Sequence, residues 1–92
     1  MTPDDLRRLE KPPAAPALQA LWWAARDDWD RAHGAAQSDS GRDAAWVHAY
    51  LHRIEGDPDN ARYWYGMAHR PVCTEPLDAE WQTIAGALLR TP

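Results

Sequence analysis

His48 and His52 stand four residues apart in the segment AWVHAYLHR, a spacing that sets two imidazoles on neighbouring turns of one helix face. Ring nitrogens placed this way chelate divalent metals, and His33, one segment earlier, can supply a third. Glu55 or Asp57 can add a carboxylate oxygen. The candidate metal ligands are therefore His33, His48 and His52, and a divalent metal is the one cofactor the chain suggests. The zinc-hydrolase helix motif needs a glutamate directly after its first histidine, and Ala49 takes that place here. Paired helical histidines also serve as packing and hydrogen-bonding residues, and the spacing fits that role as well. A related possibility makes His33, His48 and His52 the polar lining of a small-molecule pocket walled by Trp23, Trp46 and Tyr50, since ligand pockets combine apolar walls with a few convergent polar groups. The same rings can simply fill a small core.

Other reactive side chains carry less. Cys73 follows His69 by four residues in a proline-flanked bend, but a thiol nucleophile needs a base and a charge-stabilising donor that no spacing identifies. The acidic groups Asp27, Asp28, Asp30, Asp57 and Asp59 cluster at helix starts, where capping and the helix dipole account for them. There is no glycine-rich phosphate loop, no CxxC and no GxSxG. No residue is assigned a catalytic role.

The elements that must position the histidines are helical hairpins. In residues 43–70, Val47, Tyr50, Leu51 and Ile54 recur at helical spacing, then Ala61, Trp64, Tyr65 and Ala68 do so again. Between the two stripes, Gly56 suits the left-handed conformation that closes a helix, Asp57 can cap the next one, and Pro58 fits its first position. Residues 17–37 form a first hairpin: Leu18, Leu21, Trp22 and Ala25 share one stripe, and Asp28 caps a helix with Trp29, Ala32, His33 and Ala36 on one face. Gly34 inside that helix costs about 1 kcal/mol relative to alanine, which implies a closely packed neighbour or a soft helix. The polar run SDSGRD, residues 38–43, is a loop.

Residues 1–16 read as an N-terminal arm laid over the bundle. Thr2, Pro3, Asp4 and Asp5 make a helix start, the helix ends near Glu10, and KPPAAP is an extended connector. After the bend RPVCTEP, residues 75–90 give a capping helix with Leu77, Trp81, Ile84, Ala85 and Leu88 along one stripe. The expectation is one all-α domain over residues 1–92.

Composition narrows the partners. A net charge of −4 lacks the basic footprint of a phosphate-backbone binder, so nucleic acid is not expected. The longest apolar run, residues 20–25, is far short of the roughly 20 residues that cross a bilayer. A single cysteine and a polar, acidic start, MTPDDLRRLE, fit the cytoplasm and no membrane. Six tryptophans and three tyrosines, with no phenylalanine, suit a binding surface as well as a core.

The two hairpins share a pattern, with Asp28 and Ala32 matching Asp57 and Ala61 at an offset of 29 residues. With Gly56 and Asp57 at the turn, small Ala49, Ala61 and Ala68 and aromatic Tyr65, the second unit resembles a tetratricopeptide repeat. The first unit resembles it through Ala20, Trp23, Asp28, Ala32 and Ala36, with Asp27 where that family prefers glycine. The offset is shorter than that family's roughly 34 residues. The chain also resembles a family of short bacterial proteins carrying WDRAH, AWVHAYLHR, EGD and ARYWY, which implies no particular activity. The tetratricopeptide resemblance implies a scaffold. The expected function is a non-enzymatic module that binds a protein or peptide, or self-associates into a homo-oligomer. Tyr63, Trp64, Met67 and Arg70 are its candidate contacts, because Trp, Tyr and Arg dominate binding hot spots. The alternative is a small-molecule or metal-binding protein, an enzyme among the options, that uses His33, His48 and His52.

Overall fold

Proline, aspartate and glycine punctuate this chain, and the helix boundaries follow them. The computed structural model describes residues 1–90, and among these there are six α-helices and no strand. They are α1 (Pro3–Arg8), α2 (Pro16–Ala24), α3 (Trp29–Gln37), α4 (Arg42–Ile54), α5 (Pro58–Ala68) and α6 (Leu77–Leu89). Proline opens α1, α2 and α5, where its missing N–H would have no intrahelical partner. Helix α1 ends at Arg8, two residues before the expected Glu10.

Two antiparallel hairpins, α2–α3 and α4–α5, are turned by the same backbone device. Asp27 and Gly56 adopt left-handed conformations, with φ of 58° and 81°. The next residues, Asp28 and Asp57, cap α3 and α5 by accepting from the backbone N–H of Arg31 and Asn60. Their own N–H groups donate to the carbonyls of Trp23 and His52, which satisfies an orphan acceptor at the end of each first helix. An aspartate thus does in the first turn what glycine does in the second, at some steric cost.

Small residues let the hairpins approach. Ala32, Ala35 and Ala36 on α3, Ala45 and Ala49 on α4, and Ala61 and Ala68 on α5 are all buried, and helix separation falls as contact side chains shrink. Helix α6 lies against α2 and α4, the first helices of both hairpins, and also against α1. Trp81 is its anchor, fully buried with its Nε1–H donating to the Leu21 carbonyl at 2.9 Å. The N-terminal arm is held to the bundle. Leu6 is buried, and the Leu9 carbonyl accepts from Trp22 Nε1 and Arg26.

Two expectations, and one of the two alternatives for Gly34, fail at the surface. Ile54 and Leu77 were placed on apolar stripes but are 40% and 38% exposed. Each sits at a helix end, where the packed face runs out. Gly34 is exposed, and a Cβ added there meets nothing within 4 Å, so no close neighbour demands a glycine.

Candidate metal centre

Helices α3 and α4 bring the three histidines together. His48 and His52 occupy successive turns of α4 and are both buried, while His33 reaches across from α3 and is half-buried. One nitrogen from each ring lies within 4.8 Å of the other two. The Nε2 atoms of His33 and His48 face each other at 2.9 Å, one donating and one accepting. His52 turns its Nδ1 to the Glu55 carboxylate at 2.5 Å, which leaves its Nε2 for another partner.

Two indoles fix these rings. Trp29 stacks on His33, with centroids 4.6 Å apart, and is locked by its Nε1–H donating to the Leu51 carbonyl at 2.7 Å. Trp64 from α5 stacks on His48 at 3.8 Å. One face each of His33 and His48 is thereby covered, and His52 stacks on His48 in turn. Sequence spacing carried part of this signal, since Trp29 lies four residues before His33 and Glu55 three after His52.

His48 and His33 favour neutral imidazole. Burial, and then the neighbouring His33 and His52, push His48 from 6.5 down to about 4. Burial and His52 also lower His33, against the opposing pull of Glu55 and Asp30. At neutral pH these two rings therefore carry no charge to lose, and the one that donates across the 2.9 Å contact has only to shift its proton to Nδ1 before ligating a metal.

The other predicted wall residues lie elsewhere. Trp23 packs edge-on against Trp22 and lies beneath the Arg31 guanidinium. Trp46 lies beneath Arg70, at 3.8 Å, beside a separate depression that includes Cys73. Tyr50 borders another, with Arg7 and Trp81, and burial raises its hydroxyl to about 12. The indoles that stand against the histidines are thus Trp29 and Trp64, in place of Trp23 and Trp46. Of the four candidate partner contacts, Tyr63 and Met67 stay exposed, Trp64 belongs to the histidine cluster, and Arg70 is engaged with Trp46.

A second buried polar cluster has no counterpart in the sequence reading. Glu80 on α6, 3% exposed, accepts from Arg53 of α4 at 2.6 Å and from the Tyr65 hydroxyl of α5. Arg53 also donates to the Glu75 carbonyl. Burial and this carboxylate raise Tyr65 well above a tyrosine's usual range. The only sequence signal was a glutamate set within the stripe of Leu77, Trp81 and Ile84.

Tetrahedral zinc at its usual bond length to histidine separates ligand nitrogens by about 3.3 Å. The observed separations, from 2.9 Å between His33 and His48 up to a limit of 4.8 Å, bracket that value. A carboxylate on the far nitrogen of His52 supplies the outer partner that metal-bound histidines commonly have. A second group, His52, Glu55 and Asp57, shares His52, but Asp57 is already the cap of α5 and Glu55 already holds His52. The three imidazoles are the better donor set. No protein-family model, curated protein or solved structure matches this chain.

Proposed function

We propose that this protein binds a divalent transition-metal ion of the zinc class through His33, His48 and His52, with Glu55 orienting His52. The observation that carries this is the convergence of three imidazole nitrogens from two helices within 4.8 Å. Two of those nitrogens face each other with no acid between them. A cation can replace that hydrogen bond once the donating ring moves its proton to Nδ1, because three lone pairs can then point at one centre. The acceptor set is all imidazole, which suits zinc, nickel, copper or cobalt better than magnesium or calcium.

Metal-free protein titrated with zinc should bind one ion per chain and melt at a higher temperature. The double variant His48→Gln, His52→Gln should keep its helicity and lose the ion. Purified protein that takes up no stoichiometric metal, and whose melting ignores zinc and nickel, would end the proposal.

The interaction module has its own support in Tyr63 and Met67, 59% and 49% exposed and one turn apart on α5. The repeated turn supports reading the hairpins as tetratricopeptide-like units, with the scaffold role that implies for a protein or peptide partner or a second copy. The same double variant separates these functions, since it leaves the outer face of α5 untouched. Among the described residues no helix is long and apolar enough to cross a membrane.

A further inference from the structure

Structural zinc sites are closed by four protein ligands, whereas reactive ones keep a position for water or substrate. Here the converging set contains three nitrogens, and among the described residues no thiol or carboxylate joins them within the same distance. Glu55 is committed to His52 Nδ1, and Asp57 to the start of α5. The half-buried Cys73 belongs to the depression by Trp46.

A cleft of about 440 Å³ opens beside the centre, and His48 belongs to both. That size suits a small organic ligand. Its walls are largely apolar, from Ala36, Ala45, Trp64 and Met67, and Asp39 stands at its exposed edge. No lysine or arginine lines it. An anion entering this cleft would find its positive charge only in the metal, which keeps its full charge when held by three neutral imidazoles. Asp39 opposes a second negative charge, and the walls reward an apolar body.

Resting on the proposed metal centre, we infer that its fourth position is open to the cleft and takes a small monocarboxylate with an apolar body. With the metal bound, the carboxylate oxygen would take the place of a water on it, and the body would lie against Trp64 and Met67. One metal–oxygen coordination bond would form as another breaks, the water leaving to solvent, with no change of oxidation state.

Cobalt-loaded protein reports this directly, because the visible absorption of cobalt changes with the ligand in its open position. Titration with benzoate should change the spectrum saturably, at lower concentration than acetate or inorganic phosphate. Ser40→Trp and Met67→Trp, both at exposed positions along the cleft, should weaken benzoate about tenfold while leaving one cobalt per chain. A protein that takes up no cobalt overturns the metal centre itself. Cobalt bound with a spectrum indifferent to benzoate leaves the centre standing and overturns the open position. Benzoate binding unchanged in both tryptophan variants overturns entry through the cleft, and phosphate binding more tightly than benzoate overturns the ligand class.

Discussion

His52 and Arg53 are neighbours on α4, yet they serve buried clusters of opposite character. Around Arg53 every group meets its complement: a guanidinium and a phenol donate to one carboxylate, and the leftover guanidinium nitrogen finds a backbone carbonyl. Around His52 like meets like. His48 hydrogen-bonds to another imidazole, His33, and the Glu55 carboxylate pairs with His52 Nδ1. Complementary burial of this kind ties helices together, here α4, α5 and α6. His33 and His48 instead share one hydrogen bond whose direction depends on tautomer, and with His52 they form the donor set of the proposed metal centre.

Removing the centre of the complementary cluster should have the largest effect. Glu80→Ala leaves the Arg53 guanidinium and the Tyr65 hydroxyl without their shared acceptor, and losing one member of a buried ion pair is among the costlier single changes. Arg53 keeps some access to solvent, so we expect a loss of about 3 kcal/mol, at the lower end for such pairs. The urea midpoint should fall accordingly while zinc affinity stays the same. If Glu80→Ala weakens zinc binding as much as it weakens folding, the two clusters are not independent.

Acid tests the other cluster in the metal-free protein. His48 is held near 4 in the folded chain against 6.5 when free. Between these values the unfolded chain takes up a proton that the folded chain refuses, so stability falls as pH falls. The shift corresponds to about 3 kcal/mol, lost from roughly pH 6.5 to 4 and fully present above that window. His33 is lowered too and adds a loss of the same sign. Denaturation midpoints across this range should slope in the native sequence and flatten in His48→Phe. An equal slope in both would place the acid sensitivity elsewhere.

The hairpins were legible because their signals are local. Gly56, Asp57 and Pro58 mark a turn within three residues, and Asp28 marks the other cap. The pair His48 and His52 was legible for the same reason, as an i, i+4 spacing on one helix. Its walls were not, because the choice between Trp23 and Trp29, or between Trp46 and Trp64, depends on how α3 and α5 lean on α4. Spacing along one helix does not encode that packing. The Glu80 cluster was harder still, since its partners lie 27 and 15 residues away on two other helices. Only the oddity of a carboxylate in an apolar stripe pointed to it.

The smallest expected effect sharpens the comparison by changing α3 without touching either cluster. Gly34 follows His33, is exposed, and has open space where a side chain would begin. Its helical backbone suits alanine, which restricts the unfolded chain and favours the helix, so Gly34→Ala should add about 0.5–1 kcal/mol to stability. Denaturant unfolding measures that gain, and calorimetry with zinc measures what it does to the centre. Unchanged zinc affinity would mean that α3 already holds His33 in place before the ion arrives. A stiffer α3 that binds zinc more weakly would mean that His33 has to draw back from His48, from 2.9 Å towards about 3.3 Å, for both nitrogens to reach one ion, and that the glycine supplies the slack for it.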